Sequence, residues 1–171
     1  MMKAMILAGL TAALLCGGCW FMSEPANDAV ATYDLAVPKV RTASCDFARI
    51  RNLTPGGMKM LFRKPGGLIW EDPSLCWVQM PETMLARYLQ SAFPPAKEPC
   101  VRLTLLRFDL DLERALAVLT VDLAVEHGAK RTVKRCEFTA PLKSGGAAAA
   151  AAMSVCAAQL TETISKTLQE K

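Results

Sequence analysis

From Ala117 to Val125 the chain alternates without a break. Ala117, Leu119, Val121, Leu123 and Val125 share one parity. That period of two places one face of a strand in a core and leaves little room for a helix. The apolar, β-branched stretch from Cys100 to Val125 divides into a strand near 101–109 and another near 115–126. The division falls within Asp109-Leu110-Asp111-Leu112-Glu113-Arg114, which contains neither glycine nor proline. His127-Gly128 turns the chain into a third strand near 130–140, and Pro141 ends it. Three consecutive strands with short turns predict an antiparallel meander.

Upstream, Tyr33 to Pro38 alternates and stops at proline, as a short edge strand does. A further strand is expected near 43–52, followed by a turn at Thr54-Pro55-Gly56-Gly57. Residues 58–63 and 68–71 flank Lys64-Pro65-Gly66-Gly67 and predict a hairpin, closed by Asp72-Pro73. Two segments carry a helical period instead. Pro81 to Phe93 starts with proline and then Glu82, both favoured in a first turn, and aligns Leu85, Tyr88, Leu89, Ala92 and Phe93. Pro94-Pro95 stops it. Ala147 to Glu170 is alanine-rich, with Met153, Cys156, Leu160, Ile164 and Leu168 on one stripe. Its small residues suit close packing on a sheet, and Gln159, Thr161 and Glu162 argue against a membrane span. The expected class is α+β: a mainly antiparallel sheet with two amphipathic helices packed on one face.

The first nineteen residues, MMKAMILAGLTAALLCGGC, have a different character. A basic start at Lys3, an apolar run from Ala4 to Leu15 and small residues before a cysteine are the parts of a secretory signal. The run is shorter than the roughly 20 residues that span a bilayer as helix. Gly17-Gly18 before Cys19 points to lipid attachment at Cys19, with Cys16 where a lipoprotein signal usually has leucine. Each acyl chain contributes about 0.8 kcal/mol per buried methylene, so several chains hold a protein on a membrane without a spanning segment. The organisation expected is a signal peptide over 1–18, an anchor and tether over 19–31, and one domain over 32–171. Trp20 follows the cysteine. It is not the aspartate that retains lipoproteins on the inner membrane of enteric bacteria, so the outer membrane, facing the periplasm, is the expected location.

The formal charge of +4 is spread along the chain, and no basic block favours nucleic acid. Lys130-Arg131 and Lys134-Arg135 read as a solvated strand edge that discourages edge-to-edge pairing. Cys45, Cys76, Cys100, Cys136 and Cys156 follow Cys19. An oxidising compartment allows one or two disulfides among these five, with the pairing open and one thiol left over. No cysteine spacing in the mature chain fits a zinc site. His127 is the sole histidine, placed on a turn, which leaves no base for a nucleophilic thiol. Asp109, Asp111 and Glu113 share one strand face, where a solvated row is expected rather than an acid–base pair. The two Pro-Gly-Gly turns lack the Lys-Ser/Thr of a phosphate loop. These readings point to no enzyme, no cofactor and no metal.

The order of landmarks carries more. Cys19, Tyr33-x-Leu35-x-x-Pro38, a strand, the hairpin around Phe62-Arg63 and Ile69, Trp77 before Met80-Pro81 and a helix with Met84-Leu85 and Leu89, then Leu103 to Phe108 with Asp109, a Leu/Val-rich strand, Phe138, and an alanine-rich terminal helix ending in Leu168 follow one another. In that order and spacing the chain resembles the ABC-type transport auxiliary lipoproteins of the Pqi type, over nearly the whole mature length. The resemblance implies a non-enzymatic adaptor in the outer membrane. Its partner would be the periplasmic MCE-domain (mammalian cell entry) subunit of an ABC transport system for lipids or hydrophobic compounds, and homo-oligomers are compatible with it. The alternative expectation is a lipoprotein of another envelope assembly, such as lipopolysaccharide export or secretin piloting.

Overall fold

A computed structural model describes residues 30–48 and 50–170. The expected signal peptide, Cys19 and most of the expected tether lie outside the described residues. Eight strands and two helices follow in the order β1 (Ala31–Tyr33), β2 (Cys45–Phe47), β3 (Arg51–Asn52), β4 (Lys59–Arg63), β5 (Ile69–Trp77), α1 (Pro81–Ala92), β6 (Pro95–Asp111), β7 (Leu116–His127), β8 (Lys130–Pro141) and α2 (Gly146–Gln169).

The meander β6-β7-β8 forms as expected, from Cys100 opposite Glu126 to His127 opposite Lys130. The β4–β5 hairpin also forms, joined through a short 3-10 turn at Pro65–Gly67. The expectation of a mainly antiparallel sheet is overturned. One eight-stranded mixed sheet runs β1-β5-β4-β6-β7-β8, with β2 and β3 also on β6. Four pairings are parallel: β1 with β5, and β2, β3 and β4 each with β6. The cause is the length of β6, 17 residues. One of its edges is filled by β7. The other is shared in succession by β2 opposite Pro95 to Val101, β3 opposite Thr104-Leu105 and β4 opposite Leu110-Asp111. Helix α1 supplies the long connection that lets the chain return beside strands already laid down.

Several expectations shift for local reasons. The edge strand expected over Tyr33 to Pro38 is instead β1, which ends at Tyr33, and residues 34–38 are not strand. The strand expected at 43–52 is two short strands, interrupted before Arg51. β5 runs through Asp72-Pro73 instead of stopping there. The β4–β5 register shifts between Lys59 and Leu61, and Asp72 Oδ1 accepts both the amide (2.9 Å) and the hydroxyl (2.6 Å) of Ser74. Proline is tolerated at such an irregularity. The β6–β7 turn does without glycine because Ala115 takes φ +51° and its carbonyl accepts the Leu142 amide at 2.8 Å.

Both helices cover one face. Leu85, Tyr88, Leu89, Ala92 and Phe93 of the first stripe are buried, as are Met153, Cys156, Leu160 and Ile164 of the second, with Leu168 partly so. Trp77 and Phe108 pack edge-on beneath them, ring centroids 5.3 Å apart. α2 is long and apolar enough to cross a membrane by length and composition. Here it lies on β7 and β8 with twelve of its residues buried. Its start is fitted closely: a Cβ on Gly146 would come within 2.5 Å of the Tyr33 ring, so glycine lets β1 rest on the helix terminus.

Candidate interaction surfaces

The carboxylate row sits on the face that carries no helix, but it is not solvated. Asp109 and Asp111 are buried, at 4% and 5% exposure, which corrects the expectation of a water-facing row. Two arginines cover them. Arg63 reaches Asp109 Oδ2 through Nη2 (2.7 Å) and Nε (3.2 Å). Arg107 reaches Asp109 Oδ1 through Nη2 (2.8 Å) and Asp111 Oδ2 at 3.4 Å. Asp111 Oδ1 also accepts the Arg114 amide at 3.0 Å. Glu113 does not join them; it lies exposed in the turn.

Arg63 belongs to β4 and stands opposite Asp111 only because β4 lies parallel on β6. Alternation gives the face of a side chain, not what another strand lays over it. Arg107 and Asp109, two apart on one strand, were the local signal for half of the cluster. On this side of the sheet Leu61 and Val118 are buried apart from the main core. Arginine stems commonly cover apolar surface. Burial pushes the Asp111 carboxyl up, but the Arg114 amide and the hydrogen bond and charge of Arg107 outweigh it and hold the group below its ordinary value. Such a group stays ionised at neutral pH and is a poor proton donor. The ion pairs continue across the face through Arg135 with Asp122 (2.7 Å) and Arg102 with Glu126 (3.1 Å).

The five described cysteines are all free, so none of the disulfides allowed by the count is present among them. Burial pushes the thiols of Cys45 and Cys156 up to about 12. A nucleophilic cysteine needs the opposite shift. His127 lies exposed at the β7–β8 turn, beside a cavity of about 340 Å3 lined by Pro99, Lys130, Thr132 and Thr167, with no cysteine in its wall. Among the described residues no three metal-ligating side chains converge. The basic pairs lie on β8, the last strand of the sheet. There Arg131 meets Glu126 (3.6 Å) and Lys134 donates to the Thr167 hydroxyl (2.7 Å).

Sequence reasoning missed a groove along the outer side of α2. Residues 34–41 leave β1 and run beside the helix. Asp34 pairs with Arg87, the Ala36 amide donates to Ser154 Oγ at 2.9 Å, and the Arg41 amide donates to the Ala92 carbonyl at 2.7 Å. The channel between has a volume of about 780 Å3, with Val37, Ala151, Val155 and Ala158 as the apolar part of its lining. Val37 is 93% exposed. At its rim Arg41 stands 3.8 Å from Glu162. The alanines that make α2 a good helix also keep this channel shallow and smooth. Val155, off the buried stripe, was the available signal.

No family model and no curated protein sequence matches the chain. Solved structures do match. One is the crystal structure of an uncharacterized protein, with a TM-score of 0.70 and 11% identity, covering 82% of this chain and 99% of that one. Another is protein XCC0632 from Xanthomonas campestris, described with the family model DUF330. Its TM-score is 0.61 at 18% identity, covering 81% of this chain and 94% of its own. At these identities the likeness is one of fold.

Proposed function

We propose that the protein is a lipid-anchored envelope lipoprotein, facing the periplasm from the outer membrane. In this reading it is the auxiliary adaptor of an MCE-type ABC transport system for lipids or hydrophobic compounds. The observation that carries the reading is how the ordered landmarks are used. Tyr33 rests on the start of α2, Trp77 packs on Phe108, Pro81 opens α1, and Arg63 closes over Asp109. Residues far apart in the chain, recognised as a series, are those that build this domain, which supports treating the series as one unit joined to the signal at Cys19. The role is to hold and present a surface. The groove along α2 is the surface offered to the MCE-domain subunit, and the lipid keeps it at a high effective concentration near that partner.

The anchor is tested in cells fed a labelled fatty acid. The native chain is expected to take up label and to fractionate with outer membranes. Cys19→Ala is expected to take up none and to persist as the longer precursor. Label on the Cys19→Ala chain would remove the anchor assignment, and an unlabelled native chain would do the same.

A further inference from the structure

One end of the sheet gathers exposed apolar side chains, whereas ion pairs run across much of the helix-free face. The β4–β5 turn and the first residues of β5 expose Leu68, Ile69 and Trp70, and the adjoining β6–β7 turn exposes Leu112, at 64, 37, 40 and 42%. The Leu112 amide donates to the Arg63 carbonyl at 2.9 Å, which ties the two turns into one tip. Trp70 leans on Phe62 with centroids 5.4 Å apart, and Lys64 Nζ lies 4.9 Å above its ring. Lys64, Arg114 and Lys143 are exposed around the tip, against Glu113 and the half-buried Asp72.

The end of the described chain points the same way. β1 runs parallel to β5, with Ala31 opposite Leu75. Traced backwards, the chain therefore leaves β1 towards the Ile69 end of β5, at most about 20 Å from it at strand rise. From Cys19 to Val30 is at most about 40 Å of extended chain. A lipid on Cys19 thus holds a bilayer within reach of this tip. The opposite end of the sheet, about 40 Å from the tip along β7, lies on the side opposite to that by which the chain leaves β1, and its turn, His127-Gly128-Ala129-Lys130, has no large apolar side chain.

We infer that the Leu68–Ile69–Trp70 and Leu112 tip is a membrane-docking surface that seats in the phospholipid interface next to the anchor. The inference rests on the anchored reading for the position of the bilayer. Tryptophan is favoured at that depth because its ring is apolar and its N–H is polar, and the lysines meet phosphate groups. Tip and anchor together give two points of attachment and fix how the domain stands on the membrane.

The test uses the mature, acylated full chain carrying Trp20→Phe, which leaves Trp70 and the buried Trp77 as its tryptophans. It is mixed with vesicles of phosphatidylethanolamine and phosphatidylglycerol whose acyl chains are brominated or not, and the same mixtures are floated. Bromine is expected to remove most of the Trp70 share of the emission. Trp70→Phe should abolish that difference, and Leu68→Asp should reduce it several-fold, with flotation unchanged in both. Flotation with no quenching overturns the tip and leaves the anchor standing. Quenching by a chain that, purified from its native envelope, proves to carry no acyl group supports the tip and counts against the anchor. Absence of both effects overturns both.

Discussion

Asp109→Ala is expected to lower the stability of the domain by about 2–4 kcal/mol. The carboxylate is buried and receives both Arg63 and Arg107. Removing one member of a buried ion cluster strands the others, which costs about 3–5 kcal/mol when they stay dry. Each arginine keeps about a quarter of its side chain in water, 27% and 24%, so part of that cost is recovered by hydration. Urea unfolding measures the difference, and an unchanged midpoint would mean that solvent already screens the cluster. Acid acts on the same cluster through Asp111. Its folded carboxyl is held below the ordinary value of about 3.9, so the folded state binds fewer protons than the unfolded chain. The contribution is complete above that value and is lost as pH falls through the lower folded one. Stability should therefore drop below about pH 4, and Asp111→Asn should flatten that drop.

Leu160→Ala is expected to cost about 2–5 kcal/mol, the range for truncating a fully buried leucine. Leu160 has no exposed surface and sits between Cys156 and Ile164 on the side of α2 that meets the sheet. The same helix has the length and hydropathy of a membrane span, so the substitution separates two uses of one segment. A lipid-facing leucine would leave the denaturation midpoint in place. Val155→Ala, in the open groove, is the matched control and should stay within about 0.5 kcal/mol.

Periodicity carried the parts of this fold that depend on neighbours in sequence. The stripe through Met153, Cys156, Leu160 and Ile164, the start of α1 at Pro81, the alternation of β7 and the Pro65-Gly66-Gly67 turn each follow from local geometry. The parallel pairings did not, because nothing within Cys45–Phe47 or Arg51–Asn52 names the far edge of β6 as its partner. The same gap hid the burial of Asp109: its cover, Arg63, arrives from 46 residues away. The groove was invisible for a different reason. It lies between a helix and a loop, and Val37 and Val155 read singly are ordinary surface residues. The expected signal ending at Cys19 rests on its motif alone, since the described structure begins at Val30.

The domain is proposed to couple, from its lipid anchor, to a lipid-transport assembly. The most direct measurement is to purify the acylated protein from its native envelope and identify what comes with it. Recovery of an MCE-domain protein, lost with Val37→Asp and Val155→Asp in the groove of a chain that still folds, is the result expected. Recovery of a lipopolysaccharide-export or secretin component in its place would contradict the claim.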